Sequence, residues 1–248
     1  MKQYTKKYGQ VFLKDRNIRD LEVRILNPED GDRVVEIGPG TGFLTEQLLK
    51  YPIHLTCVES DHRFVDLLNV KFREFVENGQ LEIVKEDFLN YDPGKVSRII
   101  GNIPYHISSP VLERLALLDF KAAVIMVQKE FAMRMVSGSN NKQYSKLSVF
   151  TYLNFDARVE KLVSRNCFFP RPDVDSAIVS LFRRDRTRNI PDEFIDSQLK
   201  MLFSNRRKKI GNIIKGGIFE NLRVDQLDPE KIMDIIEITY QNCRSASC

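Results

Sequence analysis

The stretch Asn102-Ile103-Pro104-Tyr105 combines groups that chemistry on an exocyclic amine requires. The amino group of adenine is conjugated with its ring, so it attacks poorly until its N–H bonds are oriented and its lone pair leaves conjugation. Asn102 supplies a side-chain carbonyl as acceptor, and a backbone carbonyl beside the rigid Pro104 supplies a second. Tyr105 supplies a flat ring on which an extruded base can stack, worth about 1–3 kcal/mol. The motif therefore predicts a site for an adenine amine, against the alternative of an ordinary loop.

A glycine-rich turn, Gly38-Pro39-Gly40-Thr41-Gly42, follows the apolar run Arg33–Ile37 and precedes a helical pattern. Strand, glycine turn and helix form the nucleotide pocket of open α/β sheets. The spacing differs from the G-x-G-x-x-G fingerprint of dinucleotide sites, which argues against NAD. With Glu36 before the turn, it resembles the first motif of S-adenosylmethionine (SAM) methyltransferases. The alternative is a tight structural turn.

Two carboxylates follow the next predicted strands. Glu59 lies about twenty residues past the glycines, where a carboxylate accepts from the ribose hydroxyls of a bound nucleotide. Asp87 could accept from an adenine amino group, with Phe88 against the ring, although an isolated Asp is nearly as often a turn cap. Both residues are therefore candidate cofactor contacts.

The elements that must position these residues alternate along the chain, which predicts an α/β, doubly wound, Rossmann-like domain with a mostly parallel sheet. Ligands of such sheets bind at the carboxyl ends of the strands, where the motifs above are found. The predicted strands are Arg33–Ile37, His54–Val58, Leu81–Val84, Arg98–Ile100, Ala122–Val127, Leu147–Phe155 and Ala177–Phe182. The predicted helices are Arg16–Leu26 with Asp15 as its cap, Phe64–Val76, Ser109–Leu118 and Lys129–Val136.

The character of the sequence changes after Arg183, where arginines crowd a short segment and helical patterns follow up to a final helix over Leu227–Tyr240. This change predicts two domains, a methyltransferase domain over 1–184 and a small helical domain over 185–248. Two segments are candidate RNA contacts. One is the basic run from Arg206 to Lys209. The other is segment 2–14, in which lysines alternate with aromatic residues, because such a mixture suits phosphates and bases. The alternative is a pair of solvated surfaces.

Composition restricts the class of protein. The chain has 248 residues, of which 42% are hydrophobic and 29% charged, and its net charge is +4. It has no apolar run long enough for a membrane span and no secretory signal, so we expect no membrane partner and a cytoplasmic location. The four cysteines, Cys57, Cys167, Cys243 and Cys248, show neither metal-site nor disulfide spacing, so no metal is expected.

Five motifs, in order, resemble those of the ribosomal RNA adenine dimethyltransferase family, and together they extend over almost the whole chain. They are Gly9-Gln10-Val11-Phe12-Leu13, Glu36–Gly42, Val127–Glu130, Phe168-Phe169-Pro170-Arg171-Pro172-Asp173-Val174-Asp175-Ser176, and Leu202–Lys208, which looks like the family's C-terminal R-R-K helix. They accompany Asn102–Tyr105, which resembles the Asn-Pro-Pro-Tyr-type motif in the form that this family uses.

The resemblance implies roles for particular residues. It implies SAM contacts at Val11, Leu13, Gly38, Gly40, Glu59, Asp87 and Asn102. Valine at position 11, where members often carry asparagine, can contact SAM only through its backbone or by packing. The resemblance also implies that Phe168 faces Tyr105 and that the two rings sandwich the target adenine, with Phe169 as the alternative to Phe168. Asn102 and Tyr105 are then the catalytic residues. Arg206, Arg207 and Lys208 are then expected to bind the substrate.

The activity implied is SAM-dependent dimethylation of two adjacent adenosines near the 3′ end of small-subunit ribosomal RNA, with a role in ribosome biogenesis. We expect a monomer that acts on a pre-ribosomal particle. Three alternatives share features of the sequence: a large-subunit rRNA adenine methyltransferase of the antibiotic-resistance type, a DNA adenine methylase, and a non-catalytic ribosome-assembly factor on the same fold.

Overall fold

The computed structural model describes residues 11–184, 189–214 and 218–245. Some predicted features lie outside this part of the chain. They are those at Gly9, Gln10 and the other N-terminal residues, and those at Arg186, Arg188 and Cys248. Within it the strands are β1 Phe12–Leu13, β2 Arg33–Ile37, β3 His54–Glu59, β4 Leu81–Lys85, β5 Arg98–Asn102, β6 Ala122–Gln128, β7 Phe155–Val163, β8 Phe168–Phe169 and β9 Ser176–Arg183. The helices are α1 Arg16–Leu26, α2 Thr45–Leu48, α3 His62–Lys71, α4 Arg73–Glu77, α5 Ser108–Leu115, α6 Lys129–Met135, α7 Lys146–Asn154, α8 Asp192–Ser204 and α9 Pro229–Ser245.

Seven strands form one sheet in the order β4-β3-β2-β5-β6-β9-β7. The strands from β4 to β6 are parallel, and β9 runs antiparallel to β6. The central strands β2, β5 and β6 are almost wholly buried, as expected when helices cover both faces of a parallel sheet. The chain order reverses at β2, which pairs with β3 on one side and β5 on the other, so the sheet has its topological switch point there. The predicted doubly wound fold is confirmed.

Local sequence explains the helix that precedes the sheet and the turn after β2. The predicted bounds of α1 are confirmed, and Asp15 caps it by accepting from the backbone N–H groups of Asn17 and Ile18. Gly42 has a φ of +75°, and a Cβ on it would lie 2.5 Å from a ring carbon of Phe72. Only glycine fits this close approach. Phe72 separates α3 from α4, where the sequence predicts one continuous helix over Phe64–Val76.

The predicted strand Leu147–Phe155 is wrong, because residues 146–154 form α7 and the strand begins at Phe155. A short apolar run does not distinguish a strand from a buried helix by its periodicity. The helix is favoured by its start, where the Ser145 backbone N–H donates to Ser148 Oγ at 3.0 Å. Tyr144 and Val149 then join the apolar core formed with α8 and α9.

The chain divides into two compact units, one of residues 1–132 and 157–183 and the other of residues 133–156 and 184–248. The sequence analysis assigned 133–156 to the first domain, whereas the structure groups this segment with the helical unit. The reason is the core just described, since the side chains of α7 are part of the apolar cluster of α8 and α9. No helix in the described ranges is long and apolar enough to cross a membrane.

Candidate active site

A cavity of about 760 Å³ lies in the first unit, at the carboxyl ends of the parallel strands. Its position follows from the topology, because β2 and β5 are neighbours that end at the same sheet edge. The cavity brings together residues that are far apart in sequence, including every predicted cofactor contact and both aromatic residues predicted to hold the base. They are Val11, Leu13, Gly38, Gly40, Glu59, Asp87, Asn102, Tyr105 and Phe168.

The glycine turn forms one wall of the cavity. Gly38 and Gly40 have φ angles of +61° and +55°, which side-chain-bearing residues rarely adopt. The Gly38 N–H donates to the Val58 carbonyl at 2.9 Å, so the turn is tied to the end of β3. The Gly40 N–H donates to Glu59 Oε2 at 3.1 Å. The turn is therefore held against the end of β3 by one backbone hydrogen bond and by the carboxylate of Glu59.

Glu59 ends β3 and is nearly buried. Its second oxygen, Oε1, accepts from the Asp61 N–H at 2.9 Å. Burial raises the pKa of Glu59, while the hydrogen bonds from Asp61 and Gly40 oppose the rise. Each carboxylate oxygen can accept a further hydrogen bond. A carboxylate on the cavity wall beside a glycine turn fits the two ribose hydroxyls of a nucleoside such as that of SAM.

Asp87 and Phe88 follow β4 and both line the cavity. Asp87 Oδ1 accepts from the Leu89 N–H at 3.0 Å, which is the turn-capping contact that the sequence left as an alternative. The exposed carboxylate can still accept from a ligand, because an ionised carboxylate has about four acceptor positions. Phe88 is buried and gives this part of the wall an apolar surface.

Asn102 is the last residue of β5, in register with Met126 of β6. The next residue, Ile103, donates its N–H to the Met126 carbonyl at 3.0 Å and so holds the end of the strand. Asn102 Oδ1 is buried and has no hydrogen-bond partner among the described residues. Because buried acceptors are nearly always paired, this atom is available to a donor on a ligand.

Tyr105 begins a single 3₁₀ turn, Tyr105–Ile107, and its ring lines the cavity. Its hydroxyl is 2.8 Å from Ser176 Oγ, and Ser176 is the buried first residue of β9. Burial raises the pKa of Tyr105, so the phenol stays protonated at neutral pH. The sequence analysis assigned no role to Ser176. The sequence feature that could have indicated a role for Ser176 is its position as the last residue of the Phe168–Ser176 motif.

Phe168 and Phe169 form β8 and pair with Leu13 and Phe12 of β1. Phe168 is 5% exposed and lies on the cavity wall, whereas Phe169 is 66% exposed and does not line it. Successive side chains of a strand point to opposite sides, so only one of the two can face the cavity. The structure thus brings Phe168 to the cavity with Tyr105.

The basic run lies in the second unit and is not helical, which corrects the expected R-R-K helix. The helix α8 ends at Ser204, and Arg206–Lys208 form the turn after it. The guanidinium group of Arg206 donates to the carbonyls of Asn141 and Lys142 at 2.7 and 2.8 Å, which commits it to holding that loop. By contrast, Arg207, Lys208 and Lys209 are exposed.

Comparison with known proteins agrees with this geometry. The model of the family described as "Ribosomal RNA adenine dimethylase" matches residues 1–244. The chain is 35% identical to ribosomal RNA small subunit methyltransferase A of Mycoplasmopsis synoviae, over 97% of this chain and 98% of that protein. Among solved structures, a dimethyladenosine transferase from Plasmodium falciparum is similar with a TM-score of 0.83 at 26% identity, covering 93% of this chain and 98% of that one.

The 23S rRNA methyltransferase ErmE is also similar, with a TM-score of 0.72 at 25% identity over 91% of this chain and 98% of that one. The family match covers residues 1–244, and the relative from Mycoplasmopsis synoviae is 35% identical over 97% of this chain. This chain belongs to the ribosomal RNA adenine dimethylase family.

Proposed function

We propose that this protein transfers methyl groups from SAM to the exocyclic amines of two adjacent adenosines near the 3′ end of small-subunit ribosomal RNA. It does so as a monomer on a pre-ribosomal particle, in the cytoplasm, during ribosome biogenesis. The observation that carries the proposal is the cavity, in which an Asn102 acceptor without a partner among the described residues accompanies two aromatic rings and a glycine turn. The small-subunit substrate of the curated relative supports the choice of RNA.

The wall formed by the glycine turn holds the cofactor. Glu59 accepts from the ribose hydroxyls, Asp87 accepts from the adenine amine with Phe88 against the ring, and Val11 and Leu13 pack against the ligand. SAM supplies an electrophilic methyl group whose leaving group is a neutral thioether. The departing group consequently needs no acid from the protein.

The wall formed by the Asn102–Tyr105 motif holds the target base. Tyr105 and Phe168 stack on its faces, and Asn102 Oδ1 with the Ile103 or Pro104 backbone carbonyl accepts its two N–H bonds. These contacts align the nitrogen lone pair with the methyl group and stabilise the positive charge that develops on the amine. The nitrogen becomes cationic when it takes the methyl group, is then acidic and releases one proton to water, so no strong base is required. Tyr105 remains a neutral phenol that is hydrogen-bonded to Ser176.

The exposed basic residues of the second unit bind the RNA backbone. Arg207, Lys208 and Lys209 are three neighbouring cations in one turn. Such contacts position RNA without reading its sequence. Arg206, also predicted from the sequence as a substrate contact, contributes by holding the loop at Asn141 and Lys142.

The second candidate is a large-subunit adenine methyltransferase, which the similarity to ErmE favours. A direct assay separates the candidates. The purified protein and labelled SAM are incubated with small-subunit or large-subunit particles that lack the modification, and modified adenosines are mapped. We expect two adjacent dimethylated adenosines in small-subunit RNA and no label in large-subunit RNA. Label confined to large-subunit particles would support the second candidate, and no label in either would favour an assembly factor.

A further inference from the structure

Phe169 is a large aromatic residue that the proposed reaction does not yet use. Its side chain is 66% exposed, although the other residue of β8, Phe168, is buried in the cavity wall. Hydrophobic stabilisation is roughly proportional to the apolar area removed from water, so a ring that stays mostly in water adds little to the core. Packing within the protein therefore does not explain why a phenylalanine stands at this position.

The place of Phe169 beside the cavity follows from the register of β8 and β1. Phe169 is directly opposite Phe12, and residues opposite each other in an antiparallel pair lie on the same face, with Cβ atoms about 4.5–5.5 Å apart. Phe12 lines the cavity and packs on Phe64 with ring centroids 5.7 Å apart. Phe169 thus has one cavity-lining residue across the strand pair and another, Phe168, before it in the chain. Its ring lies at the rim of the cavity and faces solvent.

The substrate of the proposed reaction has a base that such a ring fits. To react, one adenosine must leave its stack and enter the cavity, so the adjacent adenosine loses a stacking partner. Both adenosines are targets in turn, and each must lie outside the cavity while the other reacts. An exposed aromatic ring at the rim gives the outer base a new stacking surface, and such rings hold single-stranded bases without reading their sequence.

The charges around Phe169 suit the same occupant. The exposed charged residues among 164–175, together with the one that follows β1, are Lys14, Arg165, Arg171 and Asp173. Three of these four are cations, which favours the phosphates on either side of a stacked base. The guanidinium group of Arg165 also donates to the Asp173 carbonyl at 2.9 Å, which places a cation next to the one exposed acid of this set.

We propose that Phe169 is a stacking platform for the base of the adenosine adjacent to the one in the cavity. The inference rests on the proposed function, because it takes from that function a substrate with two neighbouring target adenosines. It adds a contact outside the cavity, which binds the substrate and takes no part in the transfer of the methyl group.

The test uses the full chain, SAM and unmodified small-subunit particles. Phe169→Ala should raise KM for the particle about fivefold to a hundredfold, as for the loss of one base–aromatic stack, while kcat stays within about twofold. SAM affinity in calorimetry and the melting temperature should stay near wild type, because the ring lies outside the cavity and mostly in water. An unchanged KM overturns the inference. A parallel loss of SAM affinity and stability also overturns it, because Phe169 is then a structural residue.

Two further substitutions separate base stacking from other uses of the ring. Phe169→Trp keeps an aromatic face and should keep a KM near that of the wild type. Phe169→Leu keeps an apolar surface without an aromatic face and should be nearly as impaired as Phe169→Ala. If Phe169→Leu behaves as wild type, the residue serves an apolar contact and the inference is overturned. If Phe169→Ala does not fold, Phe169→Leu takes its place in every assay.

Leu117→Ala is the matched control, because Leu117 is also 66% exposed, belongs to the same unit and does not line the cavity. Its KM for the particle should equal that of the wild type. An equal rise of KM in Leu117→Ala and Phe169→Ala would show a general effect of lost apolar surface, and the inference would then be overturned.

Particles reconstituted with an abasic nucleotide beside one target adenosine distinguish this inference from the function on which it rests. With the neighbouring base absent, Phe169→Ala should cause no further rise of KM, because the ring has no base to hold. An undiminished rise on these particles overturns the platform. Dimethylation of normal particles with equal KM by wild type and Phe169→Ala overturns the platform alone. No label in small-subunit particles with the wild-type protein overturns the proposed function, and the inference with it.

Discussion

At the scale of single residues, the site depends on rings whose orientation is set by few contacts. Tyr105 lies in one 3₁₀ turn, and its hydroxyl has one described partner, Ser176 Oγ at 2.8 Å. The ring face and the hydroxyl thus have separable tasks. In the proposed mechanism the ring stacks on the base, while the hydroxyl hydrogen-bonds to Ser176 of β9.

Substitutions at Tyr105 and Ser176 test this separation. Tyr105→Phe keeps the ring and loses the hydrogen bond, which is worth about 0.5–1.5 kcal/mol, so we expect an active enzyme with a modest loss. Ser176→Ala removes the other partner of the same bond and should show the same modest loss. Tyr105→Ala and Phe168→Ala remove a stacking face and should abolish most turnover. A methyl-transfer assay in which Tyr105→Phe is as impaired as Tyr105→Ala would show that the chemistry needs the hydroxyl.

Glu59 is the residue on which the cofactor assignment depends most. Glu59→Ala should weaken SAM binding about tenfold to a hundredfold, as expected for the loss of charge-assisted hydrogen bonds, in calorimetry on the folded protein. Glu59→Gln keeps the size of the side chain but has only one acceptor oxygen, so it can accept from the Gly40 or the Asp61 N–H group and not from both, and we expect weaker binding of SAM in this variant too. Wild-type affinity in both variants would refute the ribose contact.

The raised pKa of Glu59 adds a pH dependence to SAM binding. The ionised carboxylate is the better acceptor, so affinity should decrease as the pH is lowered, starting at a higher pH than for an ordinary glutamate. The Glu59→Gln variant cannot ionise at this position, and its affinity should change much less over the same range. Identical pH profiles of the two proteins would contradict this account.

At the scale of elements, the strands carry buried carboxylates close to the cofactor wall. Glu36 in β2 is 1% exposed and accepts from Thr45 Oγ1 at 2.7 Å and from Cys57 Sγ at 3.4 Å. Burial raises its pKa to about 7, partly offset by those hydrogen bonds, and the charge of Glu59 adds to the rise. The residue therefore links β2, α2 and β3 by hydrogen bonds. The free energy needed to keep its carboxyl group buried depends on pH, because the group is harder to bury when it is ionised.

The stability of the fold should reflect this carboxyl group. Because its pKa is higher in the folded than in the unfolded chain, its stabilising effect is fully present below the usual glutamate pKa and is lost as the pH rises through about 7. Glu36→Gln should melt near the wild-type temperature at about pH 5 and above it at about pH 8.5. Asp30→Asn is the control, since Asp30 is exposed. A melting-temperature difference between Glu36→Gln and wild type that does not change with pH would contradict the assignment.

At the scale of the whole molecule, the chain combines a catalytic unit with a basic helical unit. The helical unit has its own apolar core, to which α7, α8 and α9 contribute. Its exposed cations are separate in sequence from every residue that lines the cavity. Binding of the particle and chemistry on the base can therefore be impaired independently.

Removal of Arg207, Lys208 and Lys209 tests the role of the helical unit. Replacing all three with Gln should weaken binding to small-subunit particles and reduce the slope of log affinity against log salt, because fewer counterions are released. A triple Gln variant at Lys50, Lys85 and Lys95, which are exposed residues of the catalytic unit, removes the same charge. It should bind nearly as wild type. Equal salt slopes for the two triple variants would indicate an effect of net charge alone.

Much of the catalytic unit could be predicted from the sequence because its signals are local. The cap and periodicity of α1, the glycine turn after β2 and the Asn102–Tyr105 motif each depend on neighbouring residues. Parallel strands then bring their carboxyl ends to one edge, so the motifs had to converge on one cavity.

Some features depend on residues that are distant in sequence, and only the tertiary structure decided these. The apolar run of α7 forms a helix because it packs with α8 and α9, and no local pattern contains that information. The choice between Phe168 and Phe169 as the ring on the cavity wall depends on the pairing of β8 with β1. The hydrogen bonds of Arg206 go to a loop more than sixty residues earlier in the chain. Glu22 resembles a polar surface residue of an amphipathic helix in the sequence. Its complete burial is decided by the packing of α1 against β5 and β6.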